Sequence, residues 1–227
     1  FVNGYVYKTN GGSQIMAVTS LEFMEDVTLA ANSTKSNNVT GLLMNTSGAY
    51  LGSMKNVTIC AGVLNDLNSN NFDFVNVGTN GIYNHGIELG NKDCQNVTIG
   101  SMENVTINAQ GTGMLISAPC GTATNCLISG GTNGIEIWIK GNYSASLGLV
   151  DCDVVGGVYA HDEFNSNPSI DNNGKLSLVA DAATTGVDAE DITLVIARAE
   201  NVEGVLKDYM DNAEAKIGDR YYATLAD

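Results

Sequence analysis

At 227 residues the chain is long enough for one substantial domain or a short repeat array, and its 44% hydrophobic content is too high for a disordered one. A formal charge of −15, from 25 acidic against 10 basic residues, excludes the basic stripe that nucleic-acid binding needs and favours basic partners or divalent cations. No apolar run approaches the roughly 20 residues of a membrane-spanning helix.

Residues 1–37 are rich in strand formers but irregular, with Tyr5-Val6-Tyr7 and then Ser20 to Ala30, including Val27-Thr28-Leu29. They read as a first coil or an N-terminal cap. From residue 38 to 180 a short signature recurs: Asn or Asp, a buried-type residue, a variable residue, then Ile or Val. It stands as Asn56-Val57-Thr58-Ile59, Asn96-Val97-Thr98-Ile99 and Asn104-Val105-Thr106-Ile107. Looser copies begin at Asn38, Asn76, Asn125 and Asp151. The successive spacings are 18, 20, 20, 8, 21 and 26 residues. Apart from the 8, they bracket one turn of a β-solenoid of about 18–26 residues per coil. Eight extended residues reach only about 26–29 Å, so Asn96 and Asn104 must lie on different faces of one coil.

A second signature follows the first: Thr79-Asn80-Gly81-Ile82-Tyr83, Thr132-Asn133-Gly134-Ile135-Glu136-Ile137 and Gly111-Thr112-Gly113-Met114. Both are turn residues followed by period-two alternation, which predicts two short strands per coil joined at Asn/Gly corners. The fold class is therefore all-β. One coil has too few apolar side chains to stand alone; coils stacked about 4.8 Å apart pair in parallel and share an interior. Asn38, Asn56, Asn76, Asn96 or Asn104, and Asn125 then form a corner ladder, extended by Asp151. Cys126 and Cys152 fall where other coils carry Val and stack inward. All five cysteines (Cys60, Cys94, Cys120, Cys126, Cys152) lack a Cys-x-x-Cys pair and read as small buried residues, neither a zinc site nor a disulfide framework.

Beyond residue 180 the rhythm loosens. Leu176-Ser177-Leu178-Val179 and Ile192-Thr193-Leu194-Val195-Ile196 predict strands, and the 3–4 spacing of Val202, Val205, Leu206, Tyr209 and Met210 predicts one short C-terminal helix over 202–215. Residues 181–227 read as a closure and the start of a following module. Both chain ends fall in mid-pattern, as in a segment cut from a longer polypeptide.

This coil grammar resembles the right-handed parallel β-helix, pectate-lyase-like superfamily, over roughly residues 20–180. The tail from Ala215 to Asp227, with its Lys216-Ile217-Gly218 and Tyr221-Tyr222-Ala223-Thr224-Leu225 phrases, is similar to the opening of the next module in large secreted or cell-surface bacterial adhesin-type proteins. The resemblance implies an extracellular location and adhesion to a host protein or glycan. It implies activity only weakly, since this fold carries lyases, hydrolases, tail spikes and adhesins alike.

The resemblance implies lyases that pair calcium with an Arg or Lys base; Arg198 and Arg220 both lie beyond the coils, and within them only Lys35, Lys55, Lys92, Lys140 and Lys175 could substitute. The hydrolase pattern is matched only by the faint echoes Asn84-His85-Gly86 and Trp138-Ile139-Lys140; His85 reads as a turn residue. The best candidate cluster lies on the late coils. Ile135 and Ile137 inward place Glu136 and Trp138 outward, Cys152 and Val154 inward place Asp153 outward, and His161, Asp162 and Glu163 follow. Glu136, Trp138, Asp153, His161 and Asp162 are the expected ligand-binding set, an aromatic face for sugar rings with acids for hydroxyls. Calcium is an expectation from net acidity alone, with no residue assigned as its ligand. A third reading, an ice-binding array of Thr40, Thr58, Thr98 and Thr106, is interrupted at Gly78, Leu127 and Asp153. The expected function is a non-catalytic structural or adhesive module, with polysaccharide binding or degradation as the alternative.

Overall fold

The computed structural model describes residues 1, 4–8, 14–32, 39–63, 74, 84–91, 96–140, 144–163, 175–187, 193–197, 215–217 and 220–222. Among these residues every regular element is a strand. The chain visits three sheets in turn, six times over. The first coil is β1 (Tyr5–Lys8), β2 (Gln14–Ala17) and β3 (Ser20–Glu25), and the second β4 (Thr28–Asn32), β5 (Thr40–Met44) and β6 (Tyr50–Lys55). Next come β7 (Thr58–Gly62), β8 (His85–Leu89) and β9 (Thr98–Glu103), then β10 (Thr106–Ala109), β11 (Thr112–Ile116) and β12 (Pro119–Thr124). The last two are β13 (Leu127–Gly130), β14 (Asn133–Lys140) and β15 (Ala145–Val150), and β16 (Asp153–Val155), β17 (Val158–Glu163) and β18 (Lys175–Ala180).

The first sheet is β1-β4-β7-β10-β13-β16, the second β2-β5-β8-β11-β14-β17, and the third β3-β6-β9-β12-β15-β18. All these pairings are parallel, consistent with a parallel β-helix; β19 (Thr193–Ala197) then adds to β18 antiparallel. A separate hairpin joins β20 (Ala215–Ile217) to β21 (Arg220–Tyr222). Of the expected C-terminal helix, residues 202–214 lie outside the described residues, and Ala215 opens β20. Among the described residues no helix is long and apolar enough to cross a membrane.

Each coil thus carries three strands, not the expected two. The third-sheet strands share no common leading motif, Asn96-Val97 before β9 being an isolated copy; what unites them is alternation, which turns Met24, Met54, Met102, Ala123 and Leu149 inward, each at most 1% exposed. The opposite wall is a column of Leu29, Ile59, Ile107, Ile128 and Val154 on the first sheet. Every position of this interior is shared between coils, so removing one coil bares its neighbours, and the stack gains stability only as a whole.

The corner between the third and first sheets explains the Asn signature. Asp26, Asn56, Asn104, Asn125 and Asp151 all have φ between 51° and 52°, the left-handed region in which Asn and Asp are the least costly non-glycine residues. The residue that follows each of them, Val27, Val57, Val105, Cys126 or Cys152, is buried. Side chains link the corners into a ladder. Asn56 Nδ2 donates to Asp26 Oδ1 at 3.0 Å, Asn104 Nδ2 to Asn56 Oδ1 at 3.3 Å, and Asn125 Nδ2 to Asn104 Oδ1. Backbone amides run the other way, each donating to the carbonyl just before the next corner: Asn56 to Glu103 at 3.0 Å, Asn104 to Thr124 at 3.1 Å.

Two expectations change here. Asn96 is not on the ladder; it precedes β9, on a different face of the coil from Asn104, and the unforeseen Asp26 heads the column. Asn38 and Asn76 lie outside the described residues. Vertical neighbours on the ladder are 30, 48 and 21 residues apart, so coil length varies beyond the 18–26 expected. The corner and the inward residues hold the register, so the corners keep one column although the sequence between them varies in length. Of the expected buried cysteines, Cys60, Cys120, Cys126 and Cys152 are buried, and Cys94 lies outside the described residues.

At the last corner a carboxylate stands in for a coil. Asp181 Oδ1 accepts from the Asp151 amide at 3.1 Å, the Thr184 amide at 3.0 Å and Thr184 Oγ1 at 2.7 Å. The Thr184 hydroxyl foremost, and then the Asp151 amide, hold its carboxyl below the ordinary value. A depressed folded pKa gives stability that is present above the unfolded value of about 3.9 and lost as pH falls through the folded one. Asp181→Asn is therefore expected to melt below the wild type near neutral pH, with the gap closing under acid. A gap that stays constant on acidification would contradict this.

Candidate functional site

The outer face of the second sheet is built on β14 and β17. Ile135 and Ile137 are fully buried, so the pleat turns Glu136 and Trp138 outward, as alternation predicts. Same-face neighbours two residues apart can touch, and Trp138 Nε1 donates to Glu136 Oε1 at 2.7 Å. The other oxygen, Oε2, accepts from Thr112 Oγ1 at 3.1 Å, one coil earlier, and from Asn133 Nδ2 at 3.5 Å. These bonds orient the carboxylate and fix the plane of the indole, which is half-buried.

In the next coil Tyr159 is the register partner of Glu136 and is 48% exposed. His161 is the partner of Trp138 and Asp162 that of Ile139, which puts His161 at the sheet position beside the indole. In the other direction, the row containing Glu136 runs through Leu115 to Glu88. Glu88 Oε2 lies 3.6 Å from His85 Nδ1. His85 opens β8 rather than sitting in a turn, the correction following from its in-register pairing with Thr40 and Thr112.

Neither a family model, nor a curated protein, nor a solved structure matches the chain.

Four of the five expected site residues therefore fall on adjacent strands of one sheet. Asp153 does not join them. It is outward and exposed as expected, but on β16 of the first sheet, where Thr185 Oγ1 donates to its Oδ1. Sequence proximity to His161 concealed a corner, which Gly156 and Gly157, both at positive φ, turn between the two sheets. The threonines divide likewise: Thr40 lies on the second sheet, Thr98 on the third, and Thr58 and Thr106 share a first-sheet row with Leu127 and Asp153. The four threonines therefore do not share one face.

Thr112, Asn133 and Tyr159 were missed as site residues. Thr112 and Asn133 were legible only as parts of the second signature, whose stacking brings Thr112 into register with Asn133. Among the described residues no group of three or more His, Cys, Asp or Glu could hold a metal ion. What the arrangement offers is an oriented indole, an exposed phenol ring diagonally beside it, and a carboxylate among hydroxyl and amide donors. Such a surface suits stacking on a sugar ring with hydrogen bonds at its edge.

Proposed function

We propose that this chain is a non-catalytic module of a secreted or cell-surface bacterial protein, a right-handed parallel β-helix that displays a glycan-contact strip. The observation that carries the reading is the 2.7 Å bond locking Trp138 to Glu136 beside exposed Tyr159. A rigid aromatic loses little entropy on binding, and stacked coils supply a stiff support for it. The charge of −15 disfavours polyanionic glycans and points to neutral or amino sugars. The adhesin-type tail phrase supports the extracellular location, and a host protein is the other partner class consistent with this surface.

The test is a glycan array followed by titration of the best ligand. Trp138→Ala is expected to weaken binding by about 10- to 30-fold, the effect of losing one buried aromatic contact. Glu136→Gln keeps an acceptor for the indole and is expected to retain most affinity. Binding that is indifferent to Trp138→Ala would exclude this strip as the site.

The alternative reading, a polysaccharide-degrading β-helix, draws on the Glu88–Glu136 row. Two strand spacings separate these carboxylates, about 9.6 Å along the stack, near the outer limit for an inverting hydrolase. Against it, Leu115 stands between them and both oxygens of Glu136 are already accepting hydrogen bonds. Release of reducing ends or unsaturated uronides, abolished by Glu136→Ala, would establish catalysis and displace the primary reading.

A further inference from the structure

Cys126 and Cys152 occupy the same inward position, just after the ladder corner, in adjacent coils. The residues that follow them, Leu127 and Asp153, are register partners. Such neighbours on parallel strands lie about 4.8 Å apart, within the ~4.4–6.8 Å Cα window of a disulfide. The side chains converge further. Cys126 Sγ donates to Thr124 O at 3.2 Å, and Cys152 Sγ reaches back one coil to Ala123 O at 3.4 Å, as well as to its own neighbour Val150 O at 3.4 Å. Cys126 Sγ in turn accepts from the Val105 amide at 3.4 Å, so both sulfurs sit in the same narrow stretch between the two corners. The other described cysteines differ: Cys60 stacks on Ala30 and Asn108, and Cys120 on Ile99.

We infer that Cys126 and Cys152 are a dithiol pair that closes to an inter-coil disulfide, fastening the fifth coil to the sixth under oxidising conditions. Oxidised glutathione supplies the chemistry. The Cys152 thiolate attacks one of its sulfurs and expels a glutathione thiolate. Cys126 then loses its proton and attacks the Cys152 sulfur of the mixed disulfide, expelling the second glutathione. Two protein thiols are oxidised, and one glutathione disulfide is reduced to two thiols. The order follows from the site. The neighbouring Cys126 thiol draws the Cys152 thiol below its ordinary value, while the same pairing and burial raise Cys126. Burial alone pushes Cys60 and Cys120 up to about 12 and leaves them poor nucleophiles.

Both sulfurs are shielded, at 3% and 1% residue exposure, so exchange waits on local opening of the last coil. The experiment therefore equilibrates the reduced full chain with oxidised glutathione at a mildly destabilising temperature. Thiols are then counted in denaturant and linked peptides mapped. Cys126→Val and Cys152→Val serve as controls that retain the fold, since Val already fills positions 27, 57 and 105. The expected result is loss of two of the five thiols, a single 126–152 link, and a melting midpoint higher by about 6–12 °C that reductant reverses. Either Val variant abolishes all three changes. A full thiol count after oxidation, a link through any other cysteine, or the same thiol loss in the Val variants overturns the inference.

Discussion

Gly121→Ala is expected to lower the melting midpoint by about 6–12 °C, the counterpart of roughly 3 kcal/mol of overpacking in a chain of this size. A Cβ at this position would stand 1.7 Å from the Gly100 carbonyl oxygen and 2.6 Å from its carbonyl carbon. Both are backbone atoms of the adjacent strand, held by the parallel ladder, so neither can yield as a side chain would. The crowding propagates through the third sheet, because Gly100 is similarly close to Gly52 O, and Gly52 to Glu22 O, each at 2.3 Å. The register between β12 and β15 also shifts between Pro119 and Thr122, bracketing Gly121. Gly148→Ala is the internal control. Its nearest neighbour would be the Thr122 hydroxyl at 3.2 Å, a rotatable group, and the substitution is expected to change the midpoint by less than about 2 °C. Thermal denaturation followed by far-ultraviolet circular dichroism reads both. Equal small shifts would mean the sheet relaxes around the added methyl.

Asn104→Ala is the second large effect, with an expected loss of about 2–4 kcal/mol. Two costs combine. The corner requires φ of 52°, which alanine adopts at about 1–2 kcal/mol. The Asn104 side chain also donates to Asn56 and accepts from Asn125, and two such bonds contribute about 1–2 kcal/mol together at an exposed corner. Asn104→Gly separates the two, since glycine takes the left-handed conformation freely but cannot bridge coils. The expected order of stability in urea is wild type, then Asn104→Gly, then Asn104→Ala. Equal losses for Gly and Ala would remove backbone conformation from the account, and a neutral Gly would remove the ladder bonds. The outcome also bears on the Asn-x-Thr sequences at Asn56 and Asn104, because an amide engaged between coils is not free for a sugar.

Much of this architecture was readable because two of its requirements are local. A corner needing a left-handed residue and then an inward one writes Asn-Val or Asn-Cys into the chain, wherever in sequence it recurs. Alternation then gives facing, which is why the outward position of Glu136 and Trp138 is legible without their partners. The third strand of each coil escaped notice because its corner into the strand has no single required residue. Tyr50, Thr98 and Pro119, near the starts of successive third-sheet strands, share no type. Equal spacing was the misleading cue. Asn96 fitted a 20-residue rhythm, whereas the ladder step from Asn56 leads to Asn104, 48 residues on.

The sequence by itself determined the all-β class, the stacked interior, the ladder chemistry at Asn56 and Asn125, and the outward strip at Glu136 and Trp138, because each follows from local backbone preference or from a period of two. Only the tertiary structure decided which sheet each strand joins. It moved Asp153 away from Trp138, brought Tyr159 beside Glu136, and set Cys126 against Cys152. Those juxtapositions depend on how many residues separate one corner from the next, a length that local backbone preference does not dictate because closing a longer connection costs little more.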